Sequence, residues 1–194
     1  MDEPEWTLPM IEVPDFLAGT GLRDAAADIL ARAEKAAGVR AVEDLIGRGR
    51  EEEAMARALA VYGIDASHVR SLVYVNYLPG ANATTFPRGT VKLDASAFDS
   101  GAGRLGSTLA HEIEVHVNEQ LEKDRWYEGK VGADLNQVEA YDHQLATAER
   151  FGLSDEEVEE IRSKRDEYYD RLDEEYKKRV DAGIYDLKPG EEDR

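Results

Sequence analysis

Hydrophobic residues recur at helical spacing through the first third of the chain. Apolar side chains follow a period of three to four residues over Leu22–Ala37, and Gly38 is expected to close that helix. The segments Val42–Ile46 and Glu51–Tyr62 show the same period on either side of a Gly-Arg-Gly break. The pattern therefore predicts an N-terminal helical part over about residues 20–63, after an irregular lead-in marked by prolines.

The period changes to two after Gly63, which is expected to end the helical part. Leu72–Tyr77 is rich in β-branched and aromatic residues, and a Pro-Gly turn signal follows it. Thr84–Phe86 and Thr90–Leu93 have the composition of two further strands. The sequence thus predicts a small sheet over about residues 68–98.

Helical patterning returns in the second half of the chain. A helix is expected to begin at Arg104 or Ser107 and to run to about Glu122. Asp134–Gln137 and Ser154–Glu157 have the spacing of capping boxes, so each predicts the start of a further helix. The last of these is expected to be one long charged helix that continues towards an acidic tail.

The order of these elements predicts an α+β fold that is mostly helical with a small sheet. The active-site and C-terminal helices would occupy about residues 104–182, and one domain would span residues 1–194. No run approaches the roughly 18 apolar residues of a membrane span, and the N-terminus lacks the basic and apolar regions of a signal peptide. We therefore expect a soluble chain with no export signal.

Charge and composition narrow the chemistry. The chain has 24 Lys and Arg against 42 Asp and Glu, a formal net charge of -18. Such acidity argues against nucleic acid as a partner, because affinity for phosphates rests largely on basic side chains. Cysteine is absent. Any metal site must therefore use nitrogen and oxygen ligands.

Two of the four histidines bracket a glutamate in the pattern H-E-x-x-x-H, just after a glycine-rich turn. In the common H-E-x-x-H signature, histidines four residues apart face one zinc ion, and the adjacent glutamate activates water. A spacing of four leaves two side chains roughly 40° apart around an α-helix, whereas a spacing of five leaves them roughly 140° apart. His111 and His116 therefore need a one-residue distortion, such as a π-bulge, to reach one metal ion.

A catalytic zinc site needs three protein ligands and an open position for water. The segment after the motif offers Glu139 as the third ligand of a Zn2+ ion, with His143 or Asp142 as alternatives. Asp142 could instead accept the free N–H of a ligating histidine. Two histidines and one carboxylate also suit iron or manganese.

Glu112 directly follows the first histidine, the position from which a carboxylate reaches the attacking water in H-E-x-x-H sites. It would take a proton from that water and pass it to the leaving amine. A tetrahedral intermediate also needs a hydrogen-bond donor on its oxyanion. Tyr127, Tyr141 and His143 are the candidates for this donor.

The motif His111–His116 is similar to the H-E-x-x-G-H helix of the dipeptidyl-peptidase III family, with Val115 in place of the glycine. That family binds zinc through both histidines and a later glutamate. Over roughly residues 81–172, the chain also resembles the zincin-like metallopeptidase domains of bacterial polymorphic toxins of the RHS type. The matching segments are Leu109–Glu112, Asn136–Tyr141 and Phe151–Ser154. This resemblance implies a zincin-like fold and a toxin or effector released from a larger protein, with a cognate immunity protein as partner.

The sequence therefore favours a zinc-dependent metallopeptidase that acts on a peptide or protein substrate. Its site would comprise the ligands His111, His116 and Glu139, the base Glu112, and Tyr141 or His143 on the oxyanion. Two alternatives stay open. One is a non-enzymatic acidic binding or immunity-type protein, and the other is a metal site that serves only structure.

Overall fold

The computed structural model describes residues 22–187. The proline-marked lead-in and the acidic tail, for which the sequence predicts irregular structure, lie outside the described residues. Contacts divide the chain into two units, residues 1–37 and 38–194. In the first unit the structure describes only the N-terminal portion of helix α1, and the remaining elements belong to the second unit.

Helices dominate the described part of the chain, and three short strands follow the second helix. The elements in chain order are α1 Leu22–Gly47, α2 Glu51–Tyr62, β1 Ser71–Val75, β2 Ala83–Phe86, β3 Thr90–Asp94, a 3₁₀ helix Ala95–Phe98, α3 Gly101–Ala110, a π-helix His111–Leu121, α4 Gly129–Ala146, α5 Ala148–Phe151, α6 Asp155–Tyr169 and α7 Glu174–Asp181. The α+β class predicted from the sequence is confirmed at this level.

Helix α1 continues through Gly38, which the sequence analysis expected to end it. A Cβ atom at Gly38 would lie 2.6 Å from Cγ2 of Val61 on α2. The glycine therefore permits a close approach of two helices rather than a helix end. The predicted end at Gly63 is confirmed, since this residue has a left-handed backbone (φ 63°) after α2.

The three strands form one sheet in the order β1-β3-β2. The strand β3 lies in the centre, parallel to β1 with Leu72 opposite Val91, and antiparallel to β2 with Thr85 opposite Val91. All three strands fall within one or two residues of the predicted segments. The strand β2 is an edge strand, and this edge lies next to the candidate site.

Two predicted helix boundaries are wrong. Helix α4 begins at Gly129, so Asp134 lies inside the helix, where it is buried and pairs with Arg171 at 3.3 Å instead of capping an N-terminus. The long C-terminal helix is interrupted, because Asp173 caps a new helix, α7. The second predicted capping box is confirmed: Ser154 and Glu157 make both reciprocal hydrogen bonds at the start of α6.

The main core packs α2, the central strand, α3 and the first turns of the π-helix together. Its members with no solvent exposure include Ala58, Val91, Leu105, Leu109 and Ile113. This apolar layer holds the helix that carries the H-E-x-x-x-H motif against the sheet. Within residues 22–187, no helix combines the length and the apolar character needed to cross a membrane.

Candidate metal centre

The helix that carries the motif changes its hydrogen-bonding period at the first histidine. Helix α3 runs to Ala110, and the next eleven residues, His111–Leu121, form a π-helix. The five-residue period continues at its end, where the amide N–H of Glu122 donates to the carbonyl of Val117 at 3.0 Å. The sequence predicted a one-residue distortion here, and the structure has more than two turns of it. π-Helical geometry is rare and is often found at functional sites.

This period brings the two motif histidines together. The ring centroids of His111 and His116 lie 4.8 Å apart, with the ring planes at 82°. One ligand atom from each of His111, Glu112 and His116 lies within 4.8 Å of the others, and all three residues are buried. Two imidazole nitrogens suit zinc, iron or manganese, and the neighbouring carboxylate lies where it could bind such an ion or act on its water. The residues present therefore fit a metal ion.

Two buried glutamines fix the orientation of the imidazoles. The Nδ1 atom of His111 lies 2.9 Å from Oε1 of Gln144, and Nδ1 of His116 lies 2.8 Å from Oε1 of Gln120. An amide oxygen only accepts hydrogen bonds, so each Nδ1 carries the proton and donates. The lone pair of each ring is therefore on Nε2. Metal-binding histidines have this arrangement, with the second ring N–H held by a neighbouring acceptor.

Each glutamine has a further hydrogen-bond partner, and the partner of Gln120 holds that amide in one orientation. Nε2 of Gln144 donates to the hydroxyl of Ser107 at 2.9 Å. Nε2 of Gln120 donates to the carboxylate of Glu139 at 2.8 Å, and that carboxylate also pairs with Arg125 at 2.8 Å. Because a carboxylate can only accept here, it determines which end of the Gln120 amide faces His116.

Glu139 therefore does not lie where the sequence analysis placed it. Among the described residues, the histidine–glutamate group that could hold a metal contains Glu112 and not Glu139. The alternative ligands are also engaged elsewhere. Asp142 pairs with Arg165 at 3.0 Å and accepts from Tyr185, while His143 lies 2.9 Å from Glu114. The orienting role proposed for Asp142 belongs to Gln120 and Gln144.

Glu112 is held by the edge strand of the sheet. The hydroxyl of Thr85 on β2 donates to Oε2 of Glu112 at 2.7 Å. Burial raises the pKa of this carboxyl group, and both His116 and the hydrogen bonds from Thr85 oppose that rise. Burial and the neighbouring ring of His116 hold the pKa of His111 well below its usual range. Both effects favour uncharged groups; a divalent cation would reverse this preference for Glu112 and reinforce it for His111.

The predicted oxyanion donors are separated by the fold. Tyr141 lines the site, with its ring 4.8 Å from that of His111 and stacked on Tyr168. Burial raises the pKa of Tyr141, so its hydroxyl keeps the proton that it would donate. Tyr127 also lines the site, but its hydroxyl donates to Asp186 at 3.2 Å. His143 faces Glu114 instead.

Glu114 and its partners form a separate cluster. The carboxylate of Glu114 accepts from His143 and makes two hydrogen bonds with Arg150, at 2.8 and 2.9 Å. Burial alone would raise the pKa of Glu114, but these hydrogen bonds lower it below its ordinary value. The cluster fixes α5 against the π-helix. His143 therefore pairs with Glu114 within the fold and does not line the cavity described below.

A cavity of about 1010 Å³ lies over the metal-binding group. Its lining includes His111, Glu112 and His116, the edge-strand residues Ala83–Thr85, and the aromatic side chains of Trp126 and Tyr141. The ring of Trp126 lies 5.4 Å from that of His116. The volume is in the range of ligand-binding clefts. The candidate ligands thus face a space that can admit a substrate.

Comparisons of the chain find no matching family model, no similar curated protein and no similar solved structure. The assignment of function therefore rests on the geometry of this site.

Several residues of the site were missed from the sequence. Gln120, Gln137, Gln144, Thr85 and Trp126 all contact the motif residues or line the same cavity. The spacing of His116 and Gln120, four residues apart, was the one available signal, because such pairs share a helix face. The other contacts depend on how separate elements pack.

Proposed function

We propose that this chain is a zinc-dependent hydrolase of peptide bonds, with His111 and His116 as metal ligands. The observation that carries this proposal is the π-helix, which brings two imidazoles side by side at one cavity, each with its Nδ1 atom against a glutamine oxygen. Two histidines on a helix surface that share no ligand would gain nothing from a π-helical backbone. Rare backbone geometry at a polar cluster is typical of functional sites.

A zinc ion bound here would polarise the substrate carbonyl and lower the pKa of water into the neutral range. Glu112, which directly follows the first ligand, would then act as the general base. Its carboxylate takes a proton from the attacking water, holds it in the buried pocket beside Thr85, and passes it to the nitrogen of the leaving amine. The raised pKa of Glu112 matches this two-way transfer.

Tyr141 supports the same reaction from its position beside His111. Its phenol stays protonated and lines the cavity. A neutral donor in a buried site stabilises negative charge that develops on a carbonyl oxygen. We assign Tyr141 this role in preference to Tyr127 and His143, whose polar atoms are bound to Asp186 and Glu114.

The edge strand supports a peptide as the substrate. Within the described sheet, β2 pairs only with β3, and Ala83, Thr84 and Thr85 line the cavity. An extended peptide can add to an exposed strand edge through main-chain hydrogen bonds. A peptide bound in this way would lie beside Glu112, because Thr85 bridges the strand and that carboxylate.

The test begins with metal binding and hydrolysis in the same preparations. The protein is stripped with a chelator, reloaded with Zn2+, and incubated with an unfolded protein and with a mixture of quenched fluorescent peptides. The comparison includes His111→Ala/His116→Ala and, as a matched control, His68→Ala, since His68 is half-exposed and pairs with Glu122 outside the cavity.

We expect about one zinc per chain and zinc-dependent cleavage in the native and His68→Ala proteins. Both should be lost in the double variant. Cleavage that survives in the double variant would overturn the proposal. Zinc-dependent melting without cleavage of any substrate would favour a structural metal site. The effector role and the immunity partner implied by the resemblance stay predictions.

A further inference from the structure

We infer that Gln137 supplies the third protein ligand of the metal, through its side-chain amide oxygen. This inference rests on the proposed metal site at His111 and His116. It replaces Glu139, which the sequence favoured, with a neutral residue two positions earlier on the same helix. The site would then hold its metal with two imidazoles and one amide.

The position of Gln137 carries the inference. Its side-chain Nε2 lies 3.1 Å from Nε2 of His116, the atom that would bind the metal. Gln144, seven residues later on the same face of α4, bonds to His111 at 2.9 Å, so this face of the helix lies against both imidazoles. A side chain that contacts one candidate ligand, on the helix face that lies against the other, stands close to where a third ligand is needed. Gln137 also lines the cavity.

The acidic residues of α4 have other partners. Glu139 is held by Arg125 and Gln120, Asp142 by Arg165, and Asp134 by Arg171. To bind the metal, each would have to leave an ion pair. Among the described side chains of α4, only Gln137 makes a hydrogen bond to the Nε2 atom of a motif histidine.

The amide can present its oxygen without a change of backbone. A half-turn about the last side-chain bond exchanges the nitrogen and oxygen of a glutamine amide. In the present orientation Gln137 donates to the lone pair of His116. A metal would occupy that lone pair, and the half-turn would then direct Oε1 towards the cation. Amide oxygens do bind divalent cations, although carboxylates are the usual oxygen ligands of zinc.

The identity of the residue has a consequence for affinity. An amide is neutral, so the site binds its metal less tightly than a site with two imidazoles and a carboxylate. Replacement of Gln137 by glutamate should therefore strengthen binding. If Gln137 only oriented His116 by donating to Nε2, a carboxylate could not make that bond, and the replacement would weaken binding.

The experiment measures affinity for Zn2+ alone, by competition with a chromophoric chelator, in the full chain. The variants are Gln137→Glu, Gln137→Leu and Thr84→Val, the last a control that lines the same cavity from β2 and is compared for zinc affinity alone. Co2+ spectra of the same proteins report the ligand set. Circular dichroism confirms that each variant is folded.

We expect Gln137→Leu to weaken zinc binding by more than about 100-fold, beyond the 10- to 100-fold effect of groups that only orient a ligand. Gln137→Glu should bind zinc at least about tenfold more tightly and should shift the Co2+ spectrum. Thr84→Val should bind zinc as tightly as the native protein does. Weaker binding in Gln137→Glu, or equal binding in all variants, would overturn the inference. The proposed function would still stand if zinc binding depended on His111 and His116, and both proposals fail if the native chain binds no zinc.

Discussion

The imidazoles of His111 and His116 lie 4.8 Å apart, although an α-helix would turn residues at this spacing roughly 140° away from each other. The π-helix His111–Leu121 removes most of that offset, because residues five apart are bonded along its axis. Ile113 and Val117 are fully or almost fully buried within the same segment. The hydrophobic core thus stabilises a backbone form that the polar residues use.

Replacement of Glu112 by glutamine tests the proton-transfer step. The amide keeps the size of the side chain and can still accept from Thr85, but it cannot take a proton from water. We expect zinc content and melting temperature near those of the native protein, with hydrolysis reduced by about 10²-fold or more. Elemental analysis and peptide cleavage in one preparation check both parts.

Thr85→Val provides the matched comparison, since it removes the hydroxyl that holds Glu112 and keeps the shape of the side chain. Its activity should fall between those of the native protein and Glu112→Gln. Full hydrolysis in Glu112→Gln would show that another group moves the proton.

The sequence was sufficient for the motif and for the distortion it requires. An α-helix rotates by about 100° per residue, so two histidines five residues apart cannot face one metal ion from a regular helix. The spacing therefore predicts either no shared metal or an irregular helix. Strand positions were also predictable, because alternating β-branched residues and a Pro-Gly turn act locally. The local capping signal at Ser154 was sound for the same reason.

The third ligand and the orienting groups depended on packing that the sequence does not display. Glu139 and Gln137 are two positions apart, so they lie on different sides of α4. The side that faces the imidazoles depends on how the helix is rotated against the π-helix. The spacing at Asp134 suggested a helix start, whereas this carboxylate is buried and pairs with Arg171. If Gln137 is the third ligand, a preference for carboxylate ligands directed attention to a different side chain.

Glu139 is expected to affect the metal through Gln120. In Glu139→Gln only the longer bond to the backbone carbonyl of Asn136, at 3.2 Å, still requires a donor from the Gln120 amide, so that amide is held less firmly and can turn its nitrogen to His116. The imidazole would then lose its fixed tautomer. We expect zinc affinity to fall by about 10- to 100-fold, measured by chelator competition.

A double-variant cycle separates this route from direct ligation. If Glu139 acts through Gln120, Glu139→Gln should weaken zinc binding no further in a Gln120→Leu background. Additive losses would mean that the carboxylate has its own contact with the metal, as the sequence first suggested. Unchanged zinc affinity in Glu139→Gln alone would contradict an effect of Glu139 that acts through Gln120.

Gly106→Ala should destabilise the fold. A Cβ atom at Gly106 would lie 2.5 Å from the ring of Tyr62 and 2.9 Å from that of Phe151. Replacement of a helical glycine by alanine normally gains about 0.5–1 kcal/mol, but overpacking of a core costs about 1–3 kcal/mol. We expect a net loss, read from chemical denaturation. Gly47→Ala is the control, because no other atom lies within 4 Å of its added methyl group, and stability there should be unchanged or higher.

Asp94 should make stability depend on pH. Its carboxylate accepts from the backbone N–H of Ser96 at 2.9 Å and from that of Leu78 at 2.6 Å. Hydrogen bonds from Ser96, aided by Leu78, lower the pKa of Asp94 below its ordinary value, against the effect of burial. A lowered pKa in the folded state stabilises the protein above the unfolded pKa of about 3.9, and this contribution is lost as the pH falls through the folded value.

Asp94→Asn removes the charge at every pH, so its melting temperature should lie below that of the native protein at pH 7. The gap should narrow as the pH falls below about 4, where the native carboxylate takes up its proton. Melting curves recorded from pH 7 to pH 2 measure this difference in melting temperature. Asp24→Asn is the control, because it replaces an exposed aspartate at the start of α1. A gap that stays constant across this range would mean that the hydrogen bonds, and not the charge, stabilise the turn between β3 and the 3₁₀ helix.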